Sequence, residues 1–147
     1  MGKNFFKKEM PSLYVHDIMM QTSLTIHRKK PVCEVEGIFI ANNIGGAALV
    51  DDIGNLVGII TKVDMVRHEF TGNDPSYTKA WEIATPKVIT IKPSASIEDA
   101  ARIMLDENVH HLVVIGESKR VVGMVSAFDF VKIAVKGNSL GHKNKIN

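Results

Sequence analysis

Apolar positions recur along this chain with two different spacings, and each spacing marks a different kind of element. In the C-terminal half, Lys87–Ile91 is a short run rich in β-branched residues and predicts a strand. Pro93, Ser94 and Ser96 open a segment in which Ile97, Ala100, Ala101, Met104 and Leu105 return at helical spacing. Ser96 and Asp99 stand at the spacing of a capping box at its start. Leu112–Ile115 and Val121–Val125 predict two strands around a polar turn, Gly116–Arg120. A last helix starts at Ser126 and carries Phe130, Val131, Ile133 and Ala134. Ahead of all these, Trp81–Ala84 predicts a short helical turn that Pro86 stops.

The N-terminal half repeats the pattern. A shift of 65 residues lays Val15–Val66 on Ala80–Val131 without a gap. Ile18 then meets Ile83, Thr25 meets Thr90, Asn43 meets Asn108, Gly58 meets Gly123 and Asp64 meets Asp129. The matching elements are strand Ser23–Ile26, helix Pro31–Ala41, strand Ala47–Val50, turn Asp51–Asn55, strand Leu56–Ile60 and a helix from Thr61. Each copy reads β-α-β-β-α, so the expected fold is α/β of the α+β type: two such repeats packed with pseudo-two-fold symmetry. The period exceeds that of common solenoids, which favours two subdomains over an array. The expected organisation is an N-terminal extension (1–11), a first repeat (12–67), a linker (68–79) with Gly72, Asn73, Asp74 and Pro75, a second repeat (80–135) and a flexible tail (136–147).

Composition narrows the class. The 147 residues are 45% hydrophobic and 23% charged, an ordinary balance for a soluble domain with its own core. A formal net charge of +2 does not by itself call for a polyanionic partner. Cys33 is the only cysteine, so no intramolecular disulfide forms, which fits a reducing compartment. No apolar run approaches the roughly 20 residues of a membrane span. The N-terminal stretch with Lys3, Phe5, Phe6, Lys7 and Lys8 leads into no long apolar segment and does not read as a secretory signal. The expected location is cytoplasmic.

Candidate chemistry concentrates where each copy's last strand meets its last helix. There Gly58, Thr61 and Asp64 match Gly123, Ser126 and Asp129 as Gly-x-x-Thr/Ser-x-x-Asp. Glycine lets backbone approach a ligand closely. A hydroxyl at a helix N-terminus lies among free N–H groups that favour phosphate, and a carboxylate one turn on accepts both hydroxyls of a ribose. Thr/Ser-x-x-Asp is also the signature of a capping box, which needs no ligand. His110 and His111 form a second feature, read either as a basic pair or as one core-facing and one solvent-facing strand residue. The six histidines lack close metal-ligand spacing and Cys33 has no partner, which argues against zinc. No nucleophile elbow, Walker loop or dinucleotide fingerprint is present.

Val15-His16-Asp17-Ile18-Met19 resembles the opening helical turn of a CBS domain. Gly58-Ile59-Ile60-Thr61-Lys62-Val63-Asp64 and Gly123-Met124-Val125-Ser126-Ala127-Phe128-Asp129 resemble that family's terminal motif. The resemblance covers about residues 12–135. Tandem CBS pairs, or Bateman modules, bind AMP, ADP, ATP or S-adenosyl compounds in clefts between the copies and commonly dimerise into a flat disk. The resemblance implies two clefts, each joining one copy's terminal motif to the first strand of the other. Cleft A would use Ile59, Thr61 and Asp64 against Thr85, Lys87, Ile89, Val109 and His110, with His111 nearby. Cleft B would use Met124, Ser126 and Asp129 against Met20, Thr22, Leu24, Ile44 and Gly45. Val109-His110-His111-Leu112 also resembles the Val-His-Arg-Leu stretch of AMP-sensing kinase gamma subunits, with His111 in place of arginine. That substitution weakens the phosphate inference near neutral pH, because an unperturbed histidine titrates around 6.5.

The expected function is therefore a non-catalytic regulatory sensor of an adenosine-containing ligand (AMP, ADP, ATP or an S-adenosyl compound), with no further cofactor and an unidentified regulated protein as partner. A homodimer is expected from surplus apolar residues on the terminal helices: Val63, Met65, Val66 and Phe70, then Phe128, Phe130, Val131, Ile133 and Val135. The alternative is a nucleic-acid-associated protein using Lys3, Lys7, Lys8, Lys143 and Lys145. An enzyme would need a nucleophile–base set that the sequence does not offer.

Overall fold

In the computed structural model, which describes residues 13–21 and 25–136, the two spacings become strands and helices in the expected order. The first repeat holds β2 (Thr25–His27), α2 (Val32–Asn42), β3 (Gly46–Val50), β4 (Leu56–Thr61) and α3 (Lys62–Glu69). The second holds β5 (Thr90–Ile91), α5 (Ile97–Glu107), β6 (His111–Ile115), β7 (Val121–Ser126) and α6 (Ala127–Lys136). Two short helices and one strand open the repeats: α1 (Val15–Ile18) and β1 (Met20–Gln21) the first, α4 (Ala80–Ile83) the second. The N-terminal extension up to residue 12, Thr22, Ser23 and Leu24, and residues 137–147 lie outside the described residues.

Local chemistry sets the boundaries. Asn43 and Asn108 end α2 and α5 in the left-handed conformation, at φ 51° and 53°, which asparagine tolerates better than most residues. The Ser96 hydroxyl accepts from the Asp99 N–H at 3.0 Å at the start of α5. The strand expected over Lys87–Ile91 is confined to Thr90–Ile91. Pro86 has no N–H to give a ladder, and Thr85 instead forms an isolated bridge with Ile59.

The compact units cut across the repeats. One comprises residues 13–21, 89–117 and 122–136; the other comprises residues 25–88 and 118–121. The first unit carries a sheet of order β1-β7-β6-β5, and the second carries β2-β3-β4. In each, the repeat's first strand runs parallel to its second, joined through a helix, as parallel pairing requires. Strand β3 is central and wholly buried, hence its unbroken Gly46–Val50 apolar run.

Each unit is completed by the opening segment of the other repeat. In the first unit, Val15 N–H donates to the Ala95 carbonyl at 2.8 Å and Met20 pairs with Met124. In the second, Ala80 N–H donates to Lys30 at 2.8 Å, and Ile59 and Thr85 exchange N–H···O bonds of 2.9 Å each way. All these partners are related by the 65-residue shift. The duplication in sequence is thus a duplication of an exchange.

The cores match as well. Ile91, Ala100, Met104, Leu112, Val114, Val125 and Ile133 fill the first unit with Val15 and Ile18. Ile26, Val35, Phe39, Ala47, Leu49, Ile60 and Met65 fill the second with Ala80. Each fully buried aliphatic side chain contributes about 1.5–3 kcal/mol of transfer free energy. Two expectations are corrected here. Leu105 is 82% exposed, because it lies one position beyond the buried stripe Ile97, Ala100 and Met104. Met65 and Ile133 are buried in the cores and Phe130 packs against one, so the apolar surplus on the terminal helices reduces to Val63, Val66 and Phe70, and to Phe128, Val131 and Val135.

Candidate ligand-binding sites

Both terminal motifs fold into a strand-to-helix turn that is tied to itself. In the second unit the Asp64 carboxylate turns back, so that its Oδ2 accepts from the Thr61 N–H at 2.8 Å and from the Thr61 hydroxyl at 3.0 Å. The Asp64 N–H points at the Thr61 hydroxyl at 3.4 Å, which closes a capping box. In the first unit the Asp129 Oδ2 accepts from the Ser126 N–H at 2.8 Å and the Ser126 hydroxyl at 3.3 Å. The next amide in each helix is also taken: Lys62 N–H donates to the Gly45 carbonyl at 3.0 Å and Ala127 N–H to the His110 carbonyl at 2.8 Å.

These bonds change two expectations. The capping reading of Thr/Ser-x-x-Asp is realised, and the first amides of both helices are spent on the protein itself instead of standing free for a phosphate. The two glycines serve close approach, but of the chain's own backbone. A Cβ on Gly58 would lie 3.0 Å from the Thr85 carbonyl oxygen, and one on Gly123 would lie 2.8 Å from that of Met20.

What remains of each carboxylate is its Oδ1. Asp64 is 4% exposed, and its Oδ1 has the Thr85 hydroxyl at 3.4 Å and the Arg67 Nη1 at 3.7 Å. The Asp129 side chain is 14% exposed, and its Oδ1 has the Lys132 ammonium at 3.8 Å. Burial pushes the Asp129 carboxyl above its ordinary range, against the lowering effects of the Ser126 N–H, Lys132 and the Ser126 hydroxyl. Arg67 and Lys132 escaped the sequence reading, although the (i, i+3) spacing from each aspartate places them on the same helix face.

The other expected site residues are distributed as follows. Ile44 is buried and Gly45 lies at the start of α3 through its carbonyl, both in the second unit with Lys87, which is exposed. Ile89 and Val109 pack against the core of the first unit. His110 is exposed and His111 is half-buried at the start of β6. Burial, with His110 beside it, pulls the His111 imidazole below its ordinary 6.5. This disfavours the charged form of His111. Thr22 and Leu24, expected in cleft B, lie outside the described residues, as do the lysines of the nucleic-acid alternative. Among the described residues no cluster of His, Cys, Asp and Glu is arranged to hold a metal, and no helix is long and apolar enough to cross a membrane.

A duplicated β-α-β-β-α unit with exchanged opening segments and paired Thr/Ser–Asp turns defines a tandem module of one family. Residues 15–70 and 80–136 each match the CBS domain, and the chain belongs to that family. The CBS domain pair of protein MJ0100, solved in complex with 5′-methylthioadenosine and S-adenosyl-L-methionine, is similar over 83% of this chain and 99% of its own, at 30% identity and a TM-score of 0.76. CBSX2, solved with AMP, shares the fold over 85% of this chain and 98% of its own, at 22% identity and a TM-score of 0.71. Among curated relatives, the uncharacterised protein MJ1225 of Methanocaldococcus jannaschii is 29% identical over 81% of this chain, which spans 42% of that relative. The homoserine O-acetyltransferase of Methanohalobium evestigatum is 31% identical over 82% of this chain, which spans only 24% of that enzyme.

Proposed function

We propose that this chain is a non-catalytic regulatory module that senses an adenosine-containing ligand through its two Thr/Ser–Asp turns and works as a homodimer. The observation that carries the reading is the state of the two aspartates. Each is largely buried and fixed by its own turn through one oxygen, with the other oxygen left beside an outward-reaching cation. A carboxylate held in this way accepts a hydroxyl pair with little further loss of freedom, which suits a ribose. The complex of the MJ0100 domain pair with two adenosyl compounds, at 30% identity, supports the ligand class.

The absence of a nucleophile–base set in the sequence supports a regulatory role over a catalytic one. Relatives such as the acetyltransferase contain much more chain than the matching part, which fits a module that regulates other proteins. The exposed rows Val63, Val66, Phe70 and Phe128, Val131, Val135 correspond under the 65-residue shift. Two matched apolar faces fit a second copy that carries the same two, as an isologous contact needs.

The test is calorimetry with AMP, ATP, 5′-methylthioadenosine and S-adenosylmethionine on the wild type and on an Asp64→Ala/Asp129→Ala double variant. The wild type is expected to bind at least one. The double variant should lose about 1–3 kcal/mol per site, the scale of lost charge-assisted hydrogen bonds. Wild-type affinity in the double variant would remove the ribose role.

A further inference from the structure

The two aspartates occupy matched places with unmatched surroundings. Asp64 Oδ1 already faces a hydroxyl donor, Thr85 at 3.4 Å, and a guanidinium, Arg67 at 3.7 Å. At the matched place in the first unit the 65-residue shift puts Met20, which pairs with Met124 through its backbone and whose side chain has no hydrogen to donate. Among the described residues, Asp129 Oδ1 is left with Lys132 at 3.8 Å, beyond hydrogen-bond length. Buried carboxylate oxygens seek donors, and one without them is the better acceptor for a donor that arrives.

We infer that the two sites are unequal: Asp129, with Met20 at the place that matches Thr85, is the primary site for an uncharged adenosyl ligand, and the Thr85 hydroxyl holds the Asp64 site in reserve by occupying the oxygen a ribose would use. This rests on the proposed function and adds an order of filling and the residue that sets it. A ligand hydroxyl reaching Asp64 must displace a resident one, so the exchange brings little net gain. At Asp129 the ligand supplies bonds that the described residues do not. The Met20 thioether, 47% exposed, leaves apolar, polarisable surface for an adenine face or a thioether substituent, whereas Met124 is buried.

The experiment is a titration with 5′-methylthioadenosine, a neutral probe, of the wild type and of Asp129→Asn, Asp64→Asn and Thr85→Val. Thr85 is exposed, so its valine variant keeps the fold, and circular dichroism verifies this for all three. The wild type should show one tight site per chain. Asp129→Asn should weaken that site at least tenfold, and Asp64→Asn should leave it within about twofold. Thr85→Val should bring a second equivalent into the measured range. Loss of the tight site in Asp64→Asn, equal weakening by both asparagine variants, or unchanged stoichiometry in Thr85→Val overturns the inference. A wild type that binds ATP but not the neutral probe overturns the inference and leaves the proposed function standing. One that binds neither these nor AMP nor S-adenosylmethionine overturns both.

Discussion

Replacing Gly123 with alanine tests whether the motif glycine exists for the exchanged strand. The new Cβ would sit 2.8 Å from the Met20 carbonyl oxygen, 2.9 Å from the Met19 sulfur and 3.3 Å from the Met19 Cγ. Relaxed carbon contacts lie near 3.5–4.0 Å. The Met19 thioether is flexible and can rotate away. The Met20 carbonyl cannot, because β1 is registered on β7 through Met20↔Met124 and Gln21↔Gly123. Either the strand shifts or the pairing opens, and overpacking of this kind costs about 1–3 kcal/mol. Gly58→Ala meets the Thr85 oxygen at 3.0 Å, so its cost has the same sign and a smaller size. Gly37→Ala is the control. Gly37 lies inside α2 with no atom within 4 Å of the added carbon, so alanine should stabilise by roughly 0.5–1 kcal/mol. Urea melts of the three variants give the order directly. At roughly 2–4 °C per kcal/mol, thermal melts should show Gly123→Ala lowest, Gly58→Ala next and Gly37→Ala above the wild type. A Gly123→Ala protein as stable as the wild type, beside a Gly37→Ala protein that behaves as expected, would mean that β1 yields freely and the glycine serves something else.

Thr61→Ala removes the N-cap of α3 and the donor to Asp64, and should cost about 1 kcal/mol in a urea melt, whereas Thr61→Ser should be nearly neutral. His111 makes stability depend on pH with a definite sign. Its folded pKa lies below 6.5, so the unfolded chain takes up that proton first; its contribution is complete above about 6.5 and is lost as pH falls through that value towards the folded one. Melts at pH 8, 6.5 and 5.5 should therefore show a shallower acid loss in His111→Gln than in the wild type, and identical slopes would remove His111 as the source. For the proposed dimer, light scattering should report about twice 16.2 kDa for the wild type and a monomer for Val66→Glu/Val131→Glu. A double variant that stays dimeric would clear these faces of the role.

What could be read in the sequence followed the range of the interactions. The order of elements was legible because periodicity, prolines and caps act within a few residues: Ser96 with Asp99, Pro86 ending a run, Asn43 and Asn108 closing equivalent helices. The capping box at Thr61 was legible as one of two readings, and the geometry realises it. Three things needed distance. Which apolar residues face solvent on α3 and α6 depends on the sheet each helix covers, so Met65 and Ile133 read like Val66 and Val131 until the core was in place. The lowered pKa of His111 comes first from burial in β6, which no local spacing encodes. The exchange of opening segments joins residues such as Val15 to Ala95 and Lys30 to Ala80, far apart in sequence.

That exchange also bears on how a site in this fold can diverge. The terminal motif supplies an aspartate fixed by its own turn, and its geometry changes little between copies: 2.8 Å from the Thr61 N–H to Asp64, 2.8 Å from the Ser126 N–H to Asp129. The exchanged segment supplies Thr85 beside Asp64, and at the position that the 65-residue shift matches to Thr85 it carries Met20, so the copies differ in kind there. Each is held by backbone pairing to Ile59 or Met124, so its side chain can change without disturbing the register. A duplicated module built this way holds its carboxylates by helix capping, and substitutions in the exchanged segment change the surroundings of each carboxylate independently of that capping.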